Sequence, residues 1–387
     1  MMRVGFVLSE NEGWLGGINY FRNLLTAIYG LPERRIDPVV IVPANTSPAI
    51  TDVCPQLEIL RTPLADPGRP LWKMRRALQV YAGRDVAFEA YLKTHKIDFL
   101  SHSGHLGRFC PIPTLPWIPD FQELHLPELF SKEERSVRKA IAAEACNHAT
   151  AILLSSETAA ADLSRIAARC RAGVEILRFV AAVPATDSLA SRQELEARYK
   201  FTGRYFFLPN QWWAHKNHRV VLDALALLKA RGGDQLVLAS GNPHDRRQPC
   251  HYAALMSRAA ELGIGEMIRP IGLVPYRDIM SLLRWSVAVI NPSLFEGWST
   301  TVEESKSMGK TVILSDIPTH KEQAPSLGKY FSPERPDQLA VLLASAWEHF
   351  DETADRANMD VAAAQLPLRR KAFARRYEDI VLRLARA

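Results

Sequence analysis

In the stretch Asn291–Lys310, NPSLFEGWSTTVEESKSMGK, two glutamates, Glu296 and Glu304, are separated by seven residues. The apolar run SVAVI precedes it, so the order reads strand, loop, then a helix starting near Thr300. A helix start presents unsatisfied backbone N–H groups and the positive end of the helix dipole, which together favour a phosphate. Gly297 lets the loop turn toward that point, and Ser299, Thr300 and Thr301 add hydroxyls that can donate to a ligand or cap the helix. Carboxylates accept hydrogen bonds from vicinal hydroxyls, so Glu296 and Glu304 can hold two ends of one ligand, a hexose and a ribose. A plainer role fits the same spacing: Glu296 and Ser299 as caps, Glu304 as a solvated helix residue.

A second group of candidates lies in LPNQWWAHKNHRVVLDALALL, where Lys216 stands at the start of the amphipathic helix Asn217–Lys229. An ammonium there can neutralise a diphosphate as a point charge. Trp212 and Trp213 read as loop anchors, with stacking on a ligand as the alternative. Gly241 and Asn242 end the strand LVLASGN, and Gly272, Leu273 and Val274 follow a later strand. Near the N-terminus, Gly16 and Gly17 fall between a strand and a helix in LSENEGWLGGINYFRNLL, where glycine allows close approach to a phosphate or sugar. PTLPWIPDFQELHLPELFS carries Asp120, a carboxylate that can accept from a hydroxyl, with His102, His105 and His125 as neighbouring, unranked candidates.

These residues need strands to carry them. Short β-branched or aromatic runs alternate with helical patterns, beginning with residues 3–8 and 18–29. Further strands are expected over 38–42, 57–61, 98–101, 151–155 and 175–177. A second series covers 205–208, 236–239, 268–271, 287–290 and 311–314. The alternation implies parallel sheets covered by helices, in two α/β domains joined near 179–189 (FVAAVPATDSL). In open parallel sheets ligands collect beyond the carboxyl ends of the strands, so two Rossmann-like domains facing a central cleft would bring both sets of loops to it.

The 387 residues are enough for two cores, and 47% hydrophobic with 23% charged residues is ordinary for a globular protein. No apolar run approaches the ~20 residues needed to cross a bilayer, and the first residues lack a secretory signal, so a cytoplasmic location is expected. Five scattered cysteines (Cys54, Cys110, Cys146, Cys170, Cys250) suit neither a disulfide framework nor a zinc site and read mostly as small buried residues. A net charge of +6 favours anionic partners, while the lack of a long basic run gives no support for nucleic acid.

The Asn291–Gln323 segment resembles the E-x7-E donor site of the retaining glycosyltransferases of family 4, the bacterial group 1 enzymes. That resemblance implies a GT-B fold, with residues 1–183 binding acceptor and 184–367 binding donor; residues 368–387 read as a basic helix that can pack on either domain, the first included. It implies a nucleoside-diphosphate sugar as donor substrate and no required metal or cofactor. Carried over by position, Glu296 lies beside the donor sugar, Glu304 meets the ribose, and the 297–301 backbone with Ser299, Thr300 and Thr301 holds the diphosphate. Lys216 steadies the leaving diphosphate, Gly17, Gly241, Leu273 and Val274 line the donor site, and Asp120 stands near the reacting sugar. Two positions depart from the family: Gln211 replaces an arginine and Pro119 replaces a histidine before Asp120.

The implied chemistry is transfer to a hydroxyl acceptor, sugar or lipid-linked, in bacterial polysaccharide or glycoconjugate synthesis, with retention of configuration. The helix 71–78 (Leu71, Trp72, Lys73, Met74, Arg75, Arg76, Leu78) mixes apolar and basic residues and could rest peripherally on the inner membrane face. A two-domain oxidoreductase would show GxGxxG and a later acidic residue in context, which are not found here. A non-catalytic sugar-nucleotide-binding module is the other alternative, disfavoured by the presence together of Lys216, Glu296 and Glu304.

Overall fold

The computed structural model describes residues 1–8, 15–46, 56–67 and 69–386, so Cys54 lies outside the described residues. The chain divides into two compact units. The first takes Met1–Phe121, Lys132–Val180 and Leu368–Ala387, and the second Gln122–Ser131 and Ala181–Pro367.

The first unit holds five parallel strands, β1 (Met2–Val7), β2 (Ile36–Val42), β3 (Glu58–Arg61), β4 (Phe99–Ser101) and β5 (Thr114–Leu115), in the order β3-β2-β1-β4-β5. A smaller sheet follows, β6 (Trp117–Ile118), β7 (Ala151–Leu154) and β8 (Gly173–Ile176). Only Pro116 separates β5 from β6: it has no N–H to continue the ladder. The centre of the first sheet is apolar on both faces, as a helix-covered parallel sheet requires: Val4, Phe6, Val39 and Ile41 are fully or almost fully buried.

The second unit is one six-stranded parallel sheet of β9 (Phe206–Leu208), β10 (Val237–Ser240), β11 (Ile268–Gly272), β12 (Val289–Asn291), β13 (Val312–Ser315) and β14 (Gly328–Phe331). Its order is β11-β10-β9-β12-β13-β14. The chain runs outward from β9 in one direction and then returns to β9's other side with β12. This reversal makes the β9/β12 edge a topological switch point, where the loops leaving two adjacent strands diverge and leave a crevice.

Three expectations need adjustment. The first helix, Leu15–Tyr29, already includes Gly16 and Gly17, so both glycines belong to its first turn rather than to a loop before it. The C-terminal helix begins at Glu352 rather than 368 and runs to Leu384 through Pro367. Beyond Pro367 it packs into the first unit, with Tyr377 donating to Ser101 Oγ (2.7 Å) and buried Glu378 accepting from Arg35 N (2.6 Å). Of the four described cysteines only Cys146 is buried; Cys110 and Cys170 are half-buried and Cys250 is exposed, so most are not core residues.

Candidate active site

The β9/β12 switch point brings together residues 80 positions apart. β9 leads into a short turn, Ala214–Lys216, and β12 into the loop that carries Glu296. Three hydrogen bonds tie these connections: Leu294 N to His215 O (2.8 Å), Asn217 Nδ2 to Pro292 O (3.2 Å), and Lys216 Nζ to Glu296 Oε1 (2.6 Å). Asn217 adopts φ 54°, in the left-handed region that asparagine tolerates better than most residues, and this turns the chain from the Lys216 bend into the His218–Lys229 helix.

The Lys216 and Glu296 side chains are 15% and 10% exposed, so their pair is shielded from water. Ser293 Oγ also donates to Glu296 Oε1 (2.6 Å), and Thr319 Oγ1 donates to the Glu296 carbonyl (2.7 Å). Burial is the largest single influence on the Glu296 carboxyl and pushes its pKa up, but the attraction of Lys216 and nearby imidazoles outweighs it, leaving a net shift downward. Glu296 is therefore a fixed carboxylate with one strong cation beside it.

The helix Thr300–Met308 starts four residues later and is capped by Ser299, whose Oγ accepts from Val302 N and from Asn291 Nδ2 (2.7 Å). Ser299 thus fills the capping role, and the Thr300 and Thr301 amides remain as first-turn donors with no partner inside the helix. Gln323 clamps this start from the other side: Ser299 N donates to its Oε1 (3.1 Å), and its Nε2 donates to Ser299 O (3.0 Å) and Glu303 Oε1 (3.2 Å). Gly297 is half-buried in the loop between Glu296 and the cap.

Glu304 has a different environment. It is 5% exposed rather than a solvated helix residue, and burial pushes its carboxyl up to about 8, with a hydrogen bond from Tyr276 opposing the rise. At neutral pH it is largely the neutral acid.

Gln211, at the position of the missing arginine, accepts from Asn242 N through Oε1 (2.6 Å). This joins the turn after β9 to the turn after β10. Gly241 makes the contact feasible: at φ 141°, a Cβ there would sit 2.4 Å from Asn210 O. Trp212 is buried and stacked on His218 (4.2 Å between centroids), which makes it a core anchor, whereas Trp213 is half-buried with Nε1 donating to His244 O (3.3 Å). Leu273 is exposed and Val274 half-buried just beyond β11.

Asp120 and Gly17 belong to the first unit. Asp120 accepts from Arg138 Nη2 (2.5 Å), and Gly17 is buried. Among the three histidines near Asp120 in sequence, His102 is enclosed by Phe6, Tyr20, Phe21, Trp117 and Tyr377 and bonded to Tyr20 Oη (2.7 Å), a structural role. His125 belongs to the second unit, its ring 4.9 Å from Phe295, the neighbour of Glu296.

Sequence reasoning assigned no role to Ser293, Thr319, His320 or Gln323. His320 is fully buried, with Nδ1 2.9 Å from Ser315 O and Nε2 without a hydrogen-bond partner. All four lie inside PSLFEG or SDIPTHKEQ, so their proximity in sequence to the glutamate motif was the available signal.

Residues 194–360 match the family model described as "Glycosyl transferases group 1". The matched segment lies within the second unit and includes Lys216, Glu296, Glu304 and Gln323. Solved structures similar to the whole chain include Anabaena HepE in complex with UDP and glucose, with a TM-score of 0.70 and 14% identity over 99% of this chain and 100% of that chain. A glycosyltransferase from Rickettsia africae has a TM-score of 0.69 and 13% identity, over 99% and 98%. The lipopolysaccharide outer core galactosyltransferase WaaB has a TM-score of 0.61 and 13% identity, over 96% and 99%. No curated protein matches the chain by sequence. These likenesses establish the GT-B fold.

Proposed function

We propose that the protein transfers a hexosyl unit from a nucleoside-diphosphate sugar to a hydroxyl acceptor, with retention, as a family 4 enzyme of bacterial polysaccharide or glycoconjugate synthesis. The observation that carries the reading is the buried Lys216–Glu296 pair, 2.6 Å apart at the switch point and next to the Thr300–Met308 helix start. A diphosphate arriving at the first-turn amides of Thr300 and Thr301 draws the Lys216 ammonium from the carboxylate to its own oxygens. Glu296, still held by Ser293, is then available to a sugar hydroxyl. As the bond to the leaving diphosphate breaks, charge grows where Lys216 and the amides already point, and such prearranged donors lower the barrier without reorganising. The departing phosphate takes up the acceptor's proton in the front-face path that the family resemblance implies.

In this reading Ser299 shapes the helix start, Glu304 meets the ribose, and Gly241, Gln211, Leu273 and Val274 border the nucleotide. The family resemblance gives Asp120 a role toward the reacting sugar and Gly17 one toward the donor. Lys216 and the helix amides supply positive potential, so the reaction is expected to persist in EDTA.

HepE binding UDP-glucose makes that compound the first donor to try. The test is thermal shift and transfer with UDP-, GDP-, ADP- and TDP-sugars, since a ligand raises the melting temperature as it populates the folded state. A donor that stabilises the protein and is consumed only with acceptor supports transfer; stabilisation without turnover, across an acceptor panel, favours the binding-module alternative.

Peripheral membrane contact is part of the same proposal, supported by an inverted helix. In Pro70–Ala82 the polar Arg75 and Gln79 face inward, while Leu71, Met74 and Leu78 are exposed beside exposed Lys73. Among the described residues no helix is long and apolar enough to cross a membrane. Cosedimentation with anionic liposomes at low salt tests the contact, and no binding would remove it.

A further inference from the structure

The first unit contains a cavity of about 360 Å³ that the transfer reaction leaves unused. Its wall includes Arg76, Gln79, His105, Arg108, Glu144 and His148. Tyr81 (90% exposed) and Phe109 (59% exposed) also border it, with the Arg108 guanidinium over the Phe109 ring (4.5 Å).

The backbone that shapes one side admits only glycine. Gly107 has φ 94°, and a Cβ on it would stand 2.4 Å from Gly83 O; Gly83 is itself at φ 65°. Phe109 N donates to Gly83 O (3.2 Å) and Asp85 N to Leu106 O (2.8 Å), so the two turns are locked together.

His105 gives the cavity its chemistry. The Gly107 N–H donates to His105 Nδ1 (3.0 Å), and Gln79 Nε2 lies 3.0 Å from the same nitrogen. Nδ1 is therefore the acceptor nitrogen, and the ring proton is on Nε2. That N–H is buried, and its nearest acceptor is the Glu144 carboxylate, 3.3 Å away on a side chain that is 53% exposed and too distant to complete a normal hydrogen bond. His148 Nδ1 is also buried and unpartnered, its ring 4.9 Å from that of His105. Burial is the main reason the His105 imidazole is held down at about 4, consistent with a neutral donor. A buried donor served only by a long contact to an exposed carboxylate gains free energy from an acceptor that enters the cavity.

We propose that this cavity binds a phosphate group, with Arg76, Arg108 and the His105 Nε2–H as its donors. Two guanidiniums and one neutral N–H match three anionic oxygens better than the two of a carboxylate. Glu144 is the one opposing charge and swings outward on occupancy. The phosphate can belong to a soluble molecule or to a lipid headgroup, for the apolar stripe Leu71, Met74 and Leu78 shares its helix with Tyr81 at the rim.

The test is calorimetric titration of the full chain with inorganic phosphate, and flotation with phosphatidate vesicles against phosphatidylcholine vesicles, at low salt. Lys216→Ala is included to delete any phosphate binding at the other site. The cavity signal should survive Lys216→Ala, weaken by roughly tenfold in Arg76→Gln/Arg108→Gln, and strengthen a few-fold in Glu144→Gln. His105→Phe removes a donor without removing charge, so its loss of binding separates cavity recognition from general attraction to an anionic surface. Binding of inorganic phosphate with this pattern assigns a soluble source; binding of phosphatidate alone with this pattern assigns a headgroup. The proposal is overturned if neither probe binds, if all binding disappears in Lys216→Ala, or if the surface variant Glu144→Gln, which should fold normally, leaves affinity unchanged. None of these outcomes depends on sugar transfer.

Discussion

The two ends of the Glu296–Glu304 stretch use one chemical group in opposite states. Glu296 has Lys216 at 2.6 Å and a hydroxyl from Ser293, and it is ionised. Glu304, one turn into the following helix, is also buried, but what opposes its burial is the Tyr276 hydroxyl rather than a cation, and it holds a proton up to about pH 8. Burial raises both; only a partner charge reverses the rise. The contrast separates an electrostatic end of the site, suited to a changing charge, from a neutral end suited to hydrogen bonding with hydroxyls.

Breaking the charged end should have the largest effect. Lys216→Ala leaves a buried carboxylate unpaired, so a stability loss on the order of 3 kcal/mol is expected, with transfer falling on the order of 100-fold. Lys216→Met/Glu296→Gln should regain most of the stability but none of the transfer, as melting temperatures and initial rates will show. If Lys216→Ala transfers at the parent rate, the ammonium has no place in the reaction.

The neutral end makes a claim about pH. The Glu304 pKa rises from 4.5 to about 8 on folding, so in that interval the folded protein keeps a proton that the unfolded chain has released. Its contribution to stability is full below 4.5 and is lost as pH rises to about 8, a loss on the order of a few kcal/mol. Glu304→Gln cannot ionise and should flatten this decline, so the variant gains on the parent as the buffer is made alkaline. Parallel melting curves for the two proteins would count against a protonated Glu304.

A sharper comparison sets the two glutamates against each other as ligands. Glu296→Gln should depress kcat more than donor affinity, on the order of tenfold, because its interaction strengthens as charge develops. Glu304→Gln should weaken donor and free nucleoside diphosphate alike, since both carry the ribose. If Glu296→Gln weakens the free nucleoside diphosphate as much as Glu304→Gln does, the division of labour is wrong. The smallest effect belongs to the element between them: Ser299→Ala removes the helix cap and should cost about 1 kcal/mol, read as a lower melting temperature.

Much of this was legible in residue order because strands and loops are local. The runs at 205–208 (YFFL) and 287–290 (VAVI) are rich in aromatic or β-branched residues, and the switch point follows once the strands they form are paired. That Lys216 and Glu296 share one donor site was implied only by resemblance, and their direct contact was not foreseen, for nothing local says that two loops 80 positions apart are neighbours. Less visible were features set by tertiary surroundings. The clamp of Gln323 on Ser299 depends on a helix packed across the sheet edge, and the elevation of Glu304 depends on what covers it. The inward turn of Arg75 was hidden because its partner, Asp85, lies in the next element (2.7 Å), so the helix exposes the side that composition alone would bury. Gly16 and Gly17 looked like a loop because glycine is a poor helix former, yet the first turn tolerates them.

The Lys216–Glu296 pair also acts as a sieve. An empty site that already supplies its own counter-ion offers little to orthophosphate or a sulfate drifting past, because such an anion must displace Glu296 from the ammonium and gives that carboxylate nothing in return. A sugar nucleotide brings the exchange with it: oxygens for Lys216 and hydroxyls for Glu296 in the same molecule. The enzyme would then remain unoccupied amid abundant small anions without a lid to exclude them, and a donor stripped of its sugar would be held less firmly, which eases release of the spent nucleotide after each turnover.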